Sequence, residues 1–231
     1  KGLEESGANV ISIGMGPTPM VYFSHFHLNT NAAVMVTGSH NPPEYNGFKM
    51  VLNQHSFYAE DIQNLQTLVE DPKLLINKGS YKEIDLKEDY VKRNLQNIKL
   101  DKKLNIAWDI GNGAMGAVMD LITTHELNAE HIMINKEVDG TFPNHHPDPT
   151  VPKNMEQLIK CVKENNCDIG LAFDGDGDRL GVVDNLGNII WADQYMLLLA
   201  KEISTIYENP KIIMDVKCSK MFFDEVKKFN C

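Results

Sequence analysis

The stretch Ile169-Gly170-Leu171-Ala172-Phe173-Asp174-Gly175-Asp176-Gly177-Asp178-Arg179-Leu180-Gly181-Val182-Val183 decides how this chain is read. Its middle holds three aspartates at alternate positions, separated only by glycines. Three carboxylates packed within a few ångströms repel one another, and more strongly as water is excluded. A hard divalent cation resolves that repulsion: Asp oxygens are its natural ligands, and glycine lets the backbone curl so that alternate side chains converge. Ile169–Phe173 reads as a buried strand leading into the loop and Leu180–Val183 as one leading out. A solvated acidic turn is the bland alternative, but a plain turn has no need of three acids.

Two other metal or phosphate chemistries can be tested on the same residues. A calcium EF-hand requires Gly at its sixth position and a bidentate Glu at its twelfth. Counted from Asp174, those places hold Arg179 and Asn185. Phosphatases with an aspartyl nucleophile resemble Phe173–Asp176, yet they want a small β-branched residue where Asp178 stands. They remain the runner-up, with Asp174 as nucleophile. Magnesium suits few carboxylates with ligand places left for water or a phosphate oxygen.

A second loop offers a partner for that phosphate. Thr37-Gly38-Ser39-His40-Asn41-Pro42-Pro43-Glu44-Tyr45-Asn46-Gly47-Phe48-Lys49 follows the apolar strand Ala33–Val36. Its prolines and glycines exclude helix or continuous strand, leaving a rigid shaped loop. A serine so placed can carry a phosphoryl group, and Lys49 can stabilise that charge or move a proton. A polar turn with an ordinary capping serine is the competing reading. The esterase elbow G-x-S-x-G is absent, because Asn41 stands where its second glycine belongs.

Thr37–Lys49 resembles the active-site serine loop of the α-D-phosphohexomutases, and Asp174–Arg179 resembles their magnesium loop. Val138–Pro149 and Asp215-Val216-Lys217-Cys218 match as well. The likeness is to the bacterial phosphomannomutase/phosphoglucomutase branch rather than to phosphoglucosamine mutases. It implies that Ser39 is phosphorylated and donates to a hexose phosphate. The bisphosphorylated sugar then turns over and returns its other phosphoryl group to Ser39. Ser39, Asp174, Asp176 and Asp178 would hold Mg2+, with Lys49 as general acid/base. His40, Asn41, Arg179 and Lys217 would meet the substrate, and glucose 1,6-bisphosphate or mannose 1,6-bisphosphate would serve as activator. The family fold is a series of three-layer α/β/α domains with mainly parallel mixed sheets. Residues 1–79 would close domain I, 80–191 form domain II and 192–231 open domain III. Against that pattern the chain reads as truncated at both ends and inactive alone.

Composition agrees. The 231 residues are 42% hydrophobic, enough for one or two cores. With 22 Lys and Arg against 32 Asp and Glu the net charge is −10, which argues against nucleic acid and anionic membranes. Cys161, Cys167, Cys218 and Cys231 show no metal-binding spacing. They read as reduced, mostly buried thiols of a cytoplasmic protein.

The remaining pattern alternates strand and helix. Helical spacing runs through Glu60–Asp71, with Asp71-Pro72 as its stop. Helices are expected over Asp85–Ile98, Ala114–Thr124, Lys153–Asn165, Asp193–Tyr207 and Ser219–Phe229. Strands are expected at Leu104–Ile110, His131–Asn135 and Ile212–Val216. Asn185–Asn188 is a turn joining Leu180–Asp184 to Ile189–Trp191 in a hairpin. Gly111-Asn112-Gly113-Ala114-Met115-Gly116 spells a dinucleotide fingerprint, but the next strand ends at Ile134-Asn135-Lys136 without the acid that would meet a ribose. Its glycines read as structural, and no nucleotide cofactor is expected. His145-His146 reads as loop structure: adjacent residues on extended chain point to opposite sides, and no third His or Cys is near in sequence. The methionines, Met115, Met119 and Met196 among them, read as core filler.

Overall fold

The computed structural model describes residues 1–70, 77–125 and 127–231. Its first part contains α1 (Gly2–Glu5), β1 (Val10–Ser12), α2 (Thr18–His27), β2 (Ala32–Val36), β3 (Phe48–Leu52), β4 (His55–Ser56) and α3 (Glu60–Glu70). There follow β5 (Tyr81–Glu83), α4 (Lys87–Leu95), β6 (Leu104–Asp109), α5 (Gly116–Thr124), β7 (Ala129–Ile134) and α6 (Glu156–Glu164). The last elements are β8 (Ile169–Phe173), β9 (Leu180–Asp184), β10 (Ile189–Ile190), α7 (Ala192–Ile206) and α8 (Lys220–Val226). The expected helix stop at Asp71-Pro72 lies outside the described residues.

The central sheet runs β10-β9-β8-β6-β7. Strand β6 is parallel to both β7 and β8, because α5 and α6 carry the chain back across the sheet between them. Strands β8 and β9 are joined only by Asp174–Arg179, too short for a crossover, so they pair antiparallel, Phe173 opposite Leu180. The aspartate loop is therefore the turn of a hairpin. The expected hairpin to β10 also forms, at the sheet edge.

Side chains alternate across β6 and separate two cores. Ala107 packs with Leu158, Val162 and Val183 under α6, whereas Trp108 faces Met115, Val118 and Met119 beside α4 and α5. Helices thus cover both faces. Gly170 lets α6 lie close: a Cβ there would stand 2.6 Å from Val162 Cγ2. Met115, Met119 and Met155 are buried, as filler should be, and Met196 packs on a third cluster with Ala200, Phe222 and Val226.

Three expectations need correction. The sheets are mixed, but parallel pairing does not dominate: β2, β3 and β4 form an antiparallel sheet. Here the serine loop alone links β2 to β3, with no helix to bring the chain back parallel. Phe48 and Lys49, placed in that loop, already belong to β3. Ile212–Val216 forms no strand, and Ile213 and Val216 are 94% and 93% exposed. Among the described residues nothing lies alongside to accept its backbone hydrogen bonds, and an apolar segment becomes a strand only with a partner. Tyr81–Glu83 pairs parallel with Val10–Ser12, tying the segment after Gly79 to the beginning of the chain.

Candidate active site

The aspartate loop is curled by its own first residue. Asp174 Oδ1 accepts from the backbone N–H groups of Asp178 and Arg179, each at 3.0 Å. Gly177 takes φ +70°, a conformation that glycine reaches without strain. Behind the loop stands the glycine-rich turn. Ala114 N–H donates to Gly175 O at 2.8 Å, and a Cβ on Gly113 would come within 2.7 Å of that same oxygen. The G-x-G-x-x-G residues act here as a buttress for the aspartate loop. A Cβ on Gly175 would sit 2.1 Å from Ser39 O, so the serine loop packs directly on its other side.

That packing delivers Ser39 to the acids. Its hydroxyl lies 3.1 Å from Asp174 Oδ2 and 3.0 Å from Asp176 Oδ1, across 135 and 137 residues of sequence. Ser39 holds φ +56°, uncommon for a residue with a Cβ and characteristic of strained functional positions. Its N–H donates to Thr37 Oγ1 at 2.8 Å, which fixes the turn. Lys49, projecting from β3, places Nζ 2.6 Å from both Asp176 Oδ2 and Asp178 Oδ2. His40 Nδ1 stands 3.4 Å from Ser39 Oγ and accepts from Arg179 Nη1 at 3.1 Å.

Burial and charge push these groups apart. Burial of Asp174, reinforced by its neighbours Asp176 and Asp178, raises its carboxyl above the usual range despite the N–H groups it accepts. Burial also works against ionisation of Asp176, but hydrogen bonds from Lys49 and Thr18 and the charge of Lys49 outweigh it and hold that carboxyl low. Burial opposes the charge of Lys49, yet Asp176 and Asp178 prevail and its ammonium is held above the usual value. Oxygens of Asp174, Asp176 and Asp178 lie within 4.8 Å of one another. An all-oxygen set of carboxylates beside a serine hydroxyl fits a hard divalent cation such as Mg2+.

Asn41 lines a neighbouring cleft of about 440 Å³ with Ser39, Tyr45, Asn112 and Phe142. Lys217 does not join this group. It is largely exposed, 3.5 Å from Asp215, and lines a separate cavity of about 520 Å³ with Trp191, Gln194 and Ser219. Sequence reasoning missed Thr18, whose hydroxyl donates to Asp176 Oδ2 at 2.6 Å. The signal was Gly16-Pro17-Thr18-Pro19, a helix start with proline in its first turn. Asp148 lies within Val138–Pro149 and was not singled out by its sequence. Its carboxylate lies 3.9 Å from Arg179 and 4.0 Å from His40.

Comparison with known proteins decides the family. The family described as phosphoglucomutase/phosphomannomutase, alpha/beta/alpha domain I, matches residues 1–74, and its domain II counterpart matches residues 88–187. The chain belongs to the α-D-phosphohexomutases. It is 44% identical over 220 residues to phosphomannomutase/phosphoglucomutase of Pseudomonas putida, covering 95% of this chain and 47% of that protein. Phosphoglucomutase of Neisseria meningitidis is 42% identical over 230 residues, 99% of this chain and 50% of its own. The crystal structure of a phosphoglucomutase/phosphomannomutase family protein from Burkholderia thailandensis superposes with a TM-score of 0.92 at 38% identity. That match covers 99% of this chain and 52% of the other. The chain thus spans about half the length of the curated phosphohexomutases it matches. The cysteines are free, Cys161 and Cys167 buried and Cys218 and Cys231 half-buried. Among the described residues no helix is long and apolar enough to cross a membrane.

Proposed function

We propose that this chain carries the phosphoryl-transfer centre of a phosphohexomutase that interconverts the 1- and 6-phosphates of mannose or glucose in the cytoplasm. The observation that carries the reading is the placement of the Ser39 hydroxyl on Asp174 and Asp176 at 3.1 and 3.0 Å, with Lys49 opposite. The names of its relatives agree. We assign residues 1–79 to domain I, 80–191 to domain II and 192–231 to the start of domain III.

In the resting phosphoenzyme the phosphoryl group sits on Ser39 Oγ. A sugar hydroxyl attacks phosphorus, the bond from phosphorus to Ser39 Oγ breaks, and a bisphosphorylated sugar forms. After that sugar reorients, Ser39 Oγ attacks its other phosphate, the bond from that phosphorus to the sugar oxygen breaks, and the phosphoserine and a sugar monophosphate are restored. In each transfer the proton of the attacking hydroxyl ends on the oxygen that leaves. Lys49, held protonated between Asp176 and Asp178, is suited to return a proton or to offset charge on the transferring group. His40 stands beside Ser39 Oγ, Arg179 donates to His40, and Asn41 lines the adjoining cleft. Lys217 would meet the substrate from its own cavity. Mg2+, held by Ser39, Asp174, Asp176 and Asp178, would neutralise charge on the group in transfer. Glucose 1,6-bisphosphate or its mannose counterpart would prime Ser39.

In a full-length protein carrying this sequence, Ser39→Ala removes the attacking atom while costing little stability. A coupled assay with glucose 1-phosphate, Mg2+ and glucose 1,6-bisphosphate should then show no turnover above background. Turnover at the wild-type rate would refute the phosphoserine route.

A further inference from the structure

We propose that His40, His146 and Asp148 form a second metal site, for a transition-metal dication of the zinc class, set against the serine loop. Their ligand atoms lie within 4.8 Å of one another. His40 Nε2 is 4.0 Å from Asp148 Oδ2, and the rings of His40 and His146 meet edge to face with centroids 5.7 Å apart. Two imidazoles with one carboxylate are a donor set that suits zinc or cobalt, whereas the aspartate loop offers only the oxygens that magnesium prefers. The two sites therefore differ in kind as well as in place.

The local chain assembles the cluster. His145 turns the other way and binds the buried Asp109 at 2.9 Å, which leaves His146 on the side of His40. Asp148 is fixed through Oδ1, which accepts from Thr150 N–H at 3.0 Å and Thr150 Oγ1 at 2.7 Å, while Oδ2 faces His40. Burial opposes its ionisation, but the Thr150 hydrogen bonds with His40 and Arg179 outweigh that and keep the carboxylate charged. His146 is exposed, and an inward turn of its ring would be needed to close the spacing to metal–ligand lengths of about 2.0–2.2 Å. Solvent would complete the coordination.

Occupancy would act on the proposed chemistry through His40. Arg179 meets His40 at Nδ1 in the structure, which leaves Nε2 towards Asp148. A metal at Nε2 leaves the ring's one proton on Nδ1. Arg179 then loses its acceptor, and Nδ1–H faces Asp174, 4.0 Å away. Because His40 stands 3.4 Å from Ser39 Oγ and is the acceptor for Arg179, filling this site would slow phosphoryl transfer.

The test is calorimetric titration of Zn2+ into the chain already saturated with Mg2+, followed by the visible spectrum with Co2+ in place of zinc. Wild type should retain one equivalent of Zn2+ with Mg2+ still bound, and Co2+ should give the intense visible bands of a four- or five-coordinate ion. His146→Gln, at an exposed position, should weaken zinc at least tenfold and erase those bands while leaving Mg2+ affinity and the melting temperature unchanged. Asp148→Asn should weaken zinc as well. Zinc affinity unaltered by His146→Gln would overturn the proposal. So would zinc that Mg2+ displaces and that Asp176→Asn, rather than His146→Gln, abolishes.

Discussion

Thr18 grips Asp176 twice: its hydroxyl donates to Asp176 Oδ2 at 2.6 Å and its backbone N–H to the Asp176 carbonyl at 2.8 Å. Thr18 is fully buried at the start of α2. The contact fixes the rotamer of Asp176 and leaves Oδ1 for Ser39. Groups that orient a metal ligand typically matter by roughly 10–100-fold in affinity. Thr18→Val should weaken Mg2+ binding by about that factor in a calorimetric titration, and Thr18→Ser, which keeps the hydroxyl, should restore it. Equal affinity in all three proteins would reduce Thr18 to a packing residue.

If Asp176 holds Mg2+ as proposed, replacing it by Asn exchanges a charged ligand for a weaker neutral one. A loss of tenfold or more in Mg2+ affinity is expected, about 1.4 kcal/mol. Lys49 keeps its contact with Asp178, so the serine loop should stay in place. Unchanged affinity would remove Asp176 from the site.

Gly113 is the place where the glycine-rich turn supports the aspartate loop. A methyl group there would meet the backbone oxygens of Gly175 at 2.7 Å and Asp174 at 3.0 Å, neither of which can swing aside. Gly113→Ala should cost about 1–3 kcal/mol in chemical denaturation and weaken Mg2+. Gly140→Ala, with nothing within 4 Å of the added carbon, is the matched control and should do neither.

Acid should destabilise the fold through His131. Burial lowers its pKa, and its Nδ1 accepts a hydrogen bond from Trp108 Nε1 at 3.1 Å, which a protonated ring could not do. The unfolded ring titrates near about 6.5. Between that value and the lower folded one, the unfolded chain binds the proton and the folded chain does not. The stabilising effect is thus complete above about pH 6.5 and is lost as pH falls through the folded value. Denaturation midpoints measured from pH 7.5 downwards should decline less steeply in His131→Gln than in wild type.

Much of this was legible in the chain because local rules sufficed. Alternation and apolar runs gave β6, β8 and β9, helical spacing gave α6 and α7, and the loops Thr37–Lys49 and Asp174–Arg179 held Ser39, Lys49 and the aspartates that the fold brings together. What stayed hidden depends on pairs distant in sequence. Thr18 meets Asp176 across 158 residues, and His146 finds His40 across the fold. The pattern around Ala33–Val36 could not say that β3 would return antiparallel. Ile212–Val216 has the composition of a strand, but composition supplies no neighbour to pair with it.

Ser39, and not Asp174, is proposed to accept the phosphoryl group. A full-length protein carrying this sequence, incubated with glucose 1,6-bisphosphate and Mg2+, can be digested and its peptides mapped by mass spectrometry before and after hydroxylamine. A serine phosphoester survives hydroxylamine, and an aspartyl phosphate does not. A stable phosphoryl group is expected on the peptide bearing Ser39 and is expected to be absent from Ser39→Ala. A hydroxylamine-labile phosphoryl group on Asp174, with Ser39 unmodified, would contradict it.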